Sequence, residues 1–264
     1  MRICIRGISC VMSVVACAAI ASGSFIQVGK TNSPAAGALL KIARDAMGGE
    51  PKLAGVKSLL LIGQVRTLNQ MYGQDSGSAR EYYVRPIEIR ILFPDKYVET
   101  TTYESGTKNR VGFNGADPVP GLGPGKAPSP VWPQFLSSRQ GEFARLALAL
   151  LLRIDAGSRL ILRESIGADS TLEFNGLGNS PVYVDLDKAT HLPSRLRYQL
   201  QDSMADGTEM GAVSSWTTNI EDWRDVGGLK MPHHLSNLRA GKLYSEFLFK
   251  TIEINPPLTA ADFK

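Results

Sequence analysis

The chain has 264 residues, of which 43% are hydrophobic and 20% are charged, and its formal net charge is +4. This length and apolar content allow a sizeable core in one undivided domain, since all-β barrels and sandwiches often reach this size. The charges are interspersed, and no basic block supplies the concentrated positive surface that nucleic-acid binding requires. We therefore expect no nucleic-acid partner.

The first 21 residues have the pattern of a secretory signal peptide. Arg2 and Arg6 form a short positive region before the largely apolar run 8–20. Ala19-Ile20-Ala21 then supplies small residues at the spacing that a signal peptidase recognises. Because the apolar run is too short for a stable membrane span, residues 1–21 are predicted to be a cleaved export signal.

The cysteines of the chain are Cys4, Cys10 and Cys17, all within this leader. The chain beyond Cys17 therefore cannot form a disulfide, a thiolate metal site or a cysteine nucleophile. The segment ending in Cys17 (VVAC) also fits a bacterial lipobox, so the mature chain begins either at Ser22 or at a lipidated Cys17. We expect a periplasmic protein, or a membrane-anchored envelope protein if Cys17 is lipidated.

A polar tether is predicted for residues 22–32, followed by one folded domain over 33–264. Ser33-Pro34 is typical of a helix start, with an N-cap side chain and a proline at the first helical position. Gly48-Gly49 is typical of a helix end. Between these signals, apolar residues recur at helical spacing, which predicts an amphipathic helix: Ala36, Leu39, Leu40, Ala43 and Met47.

From Lys57 onward the apolar residues alternate with a period of two, as in half-buried strands. Turn signals such as Asn114-Gly115 and Gly227-Gly228 separate the alternating segments. About eleven strands in series, without βαβ alternation, predict an antiparallel meander. The strands are expected near 59–66, 87–93, 96–104, 108–114, 158–166, 170–175, 181–186, 193–201, 212–223, 229–238 and 242–254.

Two segments interrupt this meander. Residues 117–133 contain six prolines and three glycines, and we expect them to be neither strand nor helix. Residues 134–154 include the stretch GEFARLALALLLRI and are predicted to form a helix that is apolar most of the way round. Such a helix is buried on several sides, and its uninterrupted apolar run is far below the ~20 residues needed to cross a bilayer.

Catalytic motifs are missing from the sequence, which has no G-x-S-x-G elbow, H-E-x-x-H helix, P-loop or G-x-G-x-x-G after a strand. His233 and His234 are neighbours on a predicted strand, so they point to opposite faces and are not expected to share a metal ion. Asp185 and Asp187 share a strand face, which leaves carboxylate-pair chemistry as an alternative. The segment 187–190 is more typical of a polar hairpin tip. We expect no catalysis, no cofactor and no metal.

Six segments of the chain, taken in order, form a recognisable series. They are LLKIARDAMGGEPKLAGVKSLLLIGQV (39–65), FPDKYVETTTY (93–103), VGFNGAD (111–117), VYVDLDKATHLPSRLRYQ (182–199), DWRDVGGLKMPHHL (222–235) and TIEINPPLTAADFK (251–264). Together these segments resemble the LolA/LolB-like periplasmic lipoprotein carriers. The resemblance implies an incomplete antiparallel barrel with helices across its open side and an apolar space that binds the acyl chains of lipoproteins. Phe93 stands where LolA itself has a basic residue, so the chain is not a close match to LolA.

The expected fold is mainly β with helices (α+β): an incomplete antiparallel β-barrel of about eleven strands, covered by the N-terminal helix and the inserted mid-chain helix. The first hypothesis is a monomeric, non-catalytic envelope carrier for a lipid, a lipoprotein acyl chain or another hydrophobic ligand. The expected ligand contacts, for each of which core packing is the alternative, are Leu59, Leu61, Val65, Ile89, Ile91 and Phe93 from the sheet and Phe143, Leu146, Leu150 and Ile154 from the helix.

The second hypothesis is a non-carrier module with the same fold. It would bind another envelope protein or sense envelope stress from the periplasm. This alternative predicts an apolar patch on the outer surface of the sheet and an interior filled by side chains.

Overall fold

A computed structural model describes residues 33–68, 82–119, 132–153, 159–163, 170–175, 180–203 and 210–264. These ranges form three α-helices, which are α1 (Pro34–Ala46), α2 (Glu50–Ala54) and α3 (Trp132–Leu151). The strands are β1 (Ser58–Leu68), β2 (Tyr82–Leu92), β3 (Lys96–Thr102), β4 (Lys108–Asn114), β5 (Asp117–Val119), β6 (Arg159–Arg163), β7 (Ser170–Asn175), β8 (Val182–Leu186), β9 (Pro193–Ser203), β10 (Met210–Val226), β11 (Leu229–Arg239) and β12 (Lys242–Ile254). The predicted leader, the tether and Cys17 lie outside the described residues.

All twelve strands belong to one sheet, in the order β5-β4-β3-β2-β1-β12-β11-β10-β9-β8-β7-β6. Every neighbouring pair is antiparallel, and the first and last strands meet in the middle of the sheet, where Leu59 is opposite Ile254. The sheet is not closed into a barrel, because β5 and β6 are its two edges. The prediction of an open antiparallel sheet with covering helices is confirmed.

Helix α3 joins those two edges, since it follows β5 and precedes β6 along the chain. It contacts β4 and β5 on one side and β9 and β11 on the other, so it crosses one face of the sheet. We call the face that carries α1 and α3 the inner face, and the opposite one the outer face. No helix in the described ranges is long and apolar enough to cross a membrane.

The expectation that residues 117–133 are neither strand nor helix is wrong at both ends. Asp117–Val119 forms β5, with Pro118 opposite Phe113 of β4, which makes twelve strands where about eleven were predicted. Proline is tolerated there because an edge strand has no second neighbour to which its nitrogen must donate. At the other end, α3 begins at Trp132 rather than 134 and ends at Leu151, before Leu152 adopts a left-handed φ of 46°.

The residues at the two ends of α1 define its limits as predicted. The Ser33 side chain accepts a hydrogen bond from Ala36 N at 3.5 Å, and Pro34 opens the helix. Gly48 follows with φ of 123°, and a Cβ there would lie 2.5 Å from Gly228 O. Glycine therefore permits both the turn and the close approach of this turn to β11, where Lys230 N donates to Met47 O at 2.8 Å.

Strand alternation places one apolar set on the inner face, where it forms a single large cluster with α1 and the C-terminal half of α3. A second, smaller cluster lies on the outer face. There the final 3-10 turn, Ala260–Phe263, packs the fully buried Phe263 ring against Val98 and Val119. Arg110 donates to the backbone carbonyls of Asp262 and Lys264, which fastens this tail to β4.

Candidate ligand site on the inner face

The two halves of α3 differ sharply in burial. At its C-terminal end, Leu148, Leu150 and Leu151 are at most 1% exposed. All residues from 141 to 146, by contrast, are only half-buried. The C-terminal segment from Ala147 to Leu151, called the C-terminal half of α3 below, therefore forms part of the core. The longer segment up to Leu146, called the N-terminal half, lies over the inner face with accessible surface beside it.

Nine of the ten predicted contact residues come together in or against one apolar cluster. Six of them are 0–6% exposed and serve as core packing in this structure: Leu59, Leu61, Val65, Ile89, Ile91 and Leu150. Phe93, Phe143 and Leu146 are half-buried and lie against that core. Ile154 lies outside the described residues. Ligand contact by these side chains remains a prediction.

Phe143 is the centre of an aromatic group between α3 and the β3–β4 half of the sheet. Its ring centroid lies 5.5 Å from that of Phe113, in an edge-to-face arrangement, and 5.7 Å from that of Phe93. Tyr97 completes the group at 6.1 Å. Such tilted pairs are favourable contacts between rings, and they fix the middle of α3 relative to the sheet.

Apolar residues on the other half of the inner face keep accessible surface. Leu200, Trp216 and Phe247 pack against the core but are only half-buried. Trp216 also meets Tyr244 edge to face, with ring centroids 4.9 Å apart. The indole nitrogen of Trp216 is buried and has no hydrogen-bond partner among the described residues. This part of the inner face is therefore amphipathic and incompletely covered.

A hydrogen-bonded chain of polar side chains crosses β9 to β12 on the same face. Tyr198 and Thr218 share a hydrogen bond at 3.2 Å, and the Thr218 hydroxyl donates to Asn237 Oδ1 at 2.6 Å. Asn237 Nδ2 then donates to Ser245 Oγ at 3.1 Å. Sequence reasoning missed this chain, although strand alternation places Thr218 on the same face as the buried Ile220.

Charged residues also lie on the inner face, between β3 and the N-terminal half of α3. Glu99 accepts hydrogen bonds from the hydroxyls of Tyr97, at 3.1 Å, and Thr101, at 3.5 Å. Arg139 Nη1 pairs with Glu142 Oε2 at 2.6 Å. Burial, reinforced by repulsion from Glu142, raises the pKa of Glu99 to about 7. A charged group on this face was not predicted from the sequence.

Glu99 and Arg145 are the two charges of this group without an ionic partner. No Lys, Arg or His nitrogen in the described residues lies within 4.0 Å of the Glu99 carboxylate. Likewise, no carboxylate oxygen there lies within that distance of Arg145, whose guanidinium stacks 4.8 Å from the Tyr198 ring centroid. Burial raises the pKa of Tyr198, and the positive charge of Arg145 opposes that effect.

The histidine pair behaves as two separate residues. The buried His233 ring places Nδ1 2.8 Å from Phe249 O. The His234 ring lies between the carboxylates of Glu221, at 3.0 Å, and Glu246, at 2.8 Å. The described ranges contain no group of three or more His, Cys, Asp or Glu residues that could hold a metal ion.

Asp185 and Asp187, the carboxylate pair considered above for acid–base chemistry, both accept hydrogen bonds that stabilise the fold. Asp185 is buried and accepts hydrogen bonds from Arg197 and Thr171, each at 2.8 Å. Asp187 accepts from the backbone nitrogen of Thr190 at 2.7 Å and closes the β8–β9 turn. The hairpin-tip prediction for residues 187–190 is confirmed, and the two carboxylates act as separate structural groups.

The outer face carries a groove of about 340 Å³ over β1 to β4. Two exposed apolar side chains lie on this face of the central strands, Ile62 on β1 and Leu248 on β12. The groove has an apolar part, formed by Ile62, Gly63, Pro86 and Ile87, and a polar part, formed by Glu88, Arg90, Thr100, Thr102, Lys108 and Arg110.

Comparisons with known proteins find likeness in structure alone. No family model and no curated protein matches the sequence. A LolA superfamily protein from Nitrosomonas europaea superposes with a TM-score of 0.51 at 14% identity, over 87% of this chain and 97% of that one. A domain from Vibrio parahaemolyticus, described as outer membrane lipoprotein-sorting, gives 0.50 at 13% identity over the same shares. The fold of the chain is therefore LolA-like.

Proposed function

We propose, from the LolA-like fold and the incompletely covered inner face, that this protein is a bacterial envelope carrier that binds a lipid, a lipoprotein acyl chain or another hydrophobic ligand without chemical change. The observation that carries the proposal is the half-buried apolar surface beside the N-terminal half of α3. Phe143 and Leu146 lie on the helix side of this surface, while Trp216 and Phe247 lie on the sheet side.

The helix supports this function because only one of its halves belongs to the core. The fully buried Leu150 fixes the C-terminal half, so the ligand enters beside the N-terminal half. Burying roughly 300 Å² of acyl chain at about 25 cal/mol per Å² gives on the order of 7 kcal/mol. This figure is the gain before association costs, which reduce it.

An exported location follows from the predicted leader and agrees with the lipoprotein-sorting description of the Vibrio domain. The carrier would act in the periplasm, or at a membrane surface if Cys17 is lipidated. Cys17→Ser tests the second arrangement, because it would release a lipoprotein from the membrane fraction and leave a periplasmic protein where it was.

Native mass spectrometry with lipid extraction tests the carrier itself. We expect the protein purified from the exporting host to carry a stoichiometric lipid adduct and to bind a fluorescent fatty acid. Leu146→Asp places a charge on the proposed ligand surface and should abolish both signals. The matched control is Leu248→Asp, on the exposed outer face, which should leave both unchanged. A clean protein that also fails to bind the fatty acid would refute the proposal.

The outer face favours one second function, a protein-interaction or envelope-stress sensing module. Ile62 and Leu248 are 38% and 45% exposed on neighbouring strands, as that hypothesis predicts. Photo-crosslinking from position 248, with position 146 as the inner-face control, separates the two functions. A discrete envelope partner at 248, in a protein that binds no lipid, would favour the interaction module.

A further inference from the structure

The N-terminal half of α3 carries three charged residues in a line. Arg139, Glu142 and Arg145 are spaced three positions apart, which places successive side chains next to each other on the helix surface. Only the first two pair with each other, at 2.6 Å, while Arg145 turns to the Tyr198 ring. The line therefore ends in a cation that no described carboxylate neutralises.

Glu99 lies opposite the other end of this line. The residue is half-buried, and burial is the main cause of its raised pKa, so its carboxylate is partly shielded from water. Its cross-strand neighbours on β2 and β4 are Ile89 and Val111, neither of which can donate a hydrogen bond from its side chain. Within the described residues, the donors to Glu99 are the two hydroxyls of its own strand.

A carboxylate held this way is expensive to leave without a partner. Two hydroxyl donors compensate for desolvation less well than a cation does, because hydrogen bonds between charged groups are the stronger ones. The guanidinium of Arg145, in turn, requires an anionic partner. In the described residues, the inner face thus presents one anion and one cation that form no ion pair within 4.0 Å, separated by the Arg139–Glu142 pair.

These charges adjoin the apolar surface described above. Phe143 lies between Glu142 and Arg145 in sequence and packs on Tyr97, which bonds Glu99. Tyr198, under Arg145, begins the hydrogen-bonded chain of β9–β12. Aromatic rings next to a carboxylate are a favourable setting for an ammonium group, since ring faces attract cations.

We propose that the inner face binds a zwitterionic amphipath, with its ammonium group at Glu99, its anionic group at Arg145 and its chain along the apolar surface of α3. This inference rests on the proposed carrier function and specifies the head group that the carrier selects. The anionic group is a phosphate or a carboxylate, both of which Arg recognises through the same donors. Neither a purely anionic nor a purely cationic head satisfies both residues.

Ionisation of Glu99 links this selectivity to pH. The groups that face Glu99 are Tyr97 on its own strand and Arg139 and Glu142 on α3. Because burial and Glu142 raise the pKa of Glu99 to about 7, a substantial fraction of this carboxyl is protonated at neutral pH. An ammonium group binds the ionised form, so affinity for the zwitterion should rise as the pH increases from 6 to 8.

Four probes with the same dodecyl chain test the head group by titration calorimetry below their micelle concentrations. They are zwitterionic dodecylphosphocholine, dodecyl phosphate, dodecyltrimethylammonium and uncharged dodecyl maltoside. We expect dodecylphosphocholine to bind about tenfold more tightly than the others, as one additional charged contact allows. In the Glu99→Gln variant, dodecylphosphocholine should bind no more tightly than dodecyl phosphate, and its affinity should no longer depend on pH. In the Arg145→Gln variant, dodecylphosphocholine should bind no more tightly than dodecyltrimethylammonium.

The exposed residues Glu253 and Arg159 provide matched controls, and neither Glu253→Gln nor Arg159→Gln should change the order of affinities. Equal affinity of the four probes would overturn the head-group inference and leave the carrier function standing. Failure of every dodecyl probe to bind would overturn the carrier function as well. The two failures are therefore distinguishable in one set of titrations.

Discussion

The guanidinium of Arg153 stacks on the Phe93 ring, 4.0 Å from its centroid. Its Nη1 also donates to Val56 O at 3.0 Å, so this one side chain ties the end of α3 to the start of β1 and to the turn after β2. Arg44 adds a second tie by donating to Leu152 O at 3.0 Å. The C-terminal end of α3 is thereby fixed to the body of the domain.

Arg153→Ala should lower the free energy of unfolding by about 1–2 kcal/mol. The variant loses a cation–π contact and a charged hydrogen bond to a backbone carbonyl. Urea unfolding followed by circular dichroism measures the change. Arg159→Ala, at an exposed site on the edge strand β6, should change stability by less than about 0.5 kcal/mol. Equal effects of the two substitutions would contradict the anchoring role of Arg153.

Leu150 and Leu146 should respond differently to truncation, although they are one helical turn apart. Leu150 is 0% exposed, so Leu150→Ala should cost about 2–5 kcal/mol of stability, as for other buried leucines. Leu146→Ala removes a half-buried side chain and should cost less, while weakening the binding of a fluorescent fatty acid. Denaturation and binding curves on both variants check this, and an intact Kd for Leu146→Ala would count against the ligand surface.

Glu99→Gln should stabilise the protein at pH 8 and have little effect near pH 4. The pKa of Glu99 is raised in the folded state, so the unfolded chain ionises first as the pH rises above 4.5. Folded stability is therefore lost between that pH and about 7, and the glutamine variant avoids the loss. The gain at pH 8 should be about 1–3 kcal/mol. Identical pH dependence of the two proteins in thermal unfolding would show that Glu99 ionises freely.

Asp185→Asn should destabilise the fold by about 1–3 kcal/mol at pH 7, because a buried carboxylate that bonds Arg197 is replaced by a neutral amide. Burial acts to raise the pKa of Asp185, but hydrogen bonds from Arg197 and Thr171 outweigh it, and the net pKa is lowered. The stabilisation is thus present at neutral pH and lost as the pH falls below about 4. Urea unfolding of both proteins at pH 7 and pH 3 measures this, and the difference between them should shrink at pH 3.

The parts of the fold that short-range signals determine could be predicted. Ser33, Pro34 and Gly48 give the first helix, and strict alternation gives the inner-facing side of β1 and β2. The strand β5 was missed because three residues with a proline are too short for a periodic pattern. Its pairing is defined only by contact with β4, as between Pro118 and Phe113.

The polar part of the inner face depends on contacts that no local pattern reveals. Glu99 and Glu142 are far apart in sequence and influence each other only because α3 folds back over β3. Nine of the ten predicted contact residues lie in or against one apolar cluster, since hydrophobic burial determines their side, while Ile154 lies outside the described residues. Strand alternation explains why Thr218 and Asn237 both lie on the inner face. Their hydrogen bond depends in addition on the register in which β10 pairs with β11.

The short edge strand β5 also limits the pairing of this sheet with a strand of a second chain. An open sheet exposes hydrogen-bonding groups at both ends, and a second chain can extend it there. β5 offers only three residues, one of them Pro118, which has no N–H to donate. At the opposite edge, Ser33 N donates to Leu160 O of β6 at 3.2 Å and occupies one acceptor. Both edges are thus poor templates for the addition of a strand from a second chain.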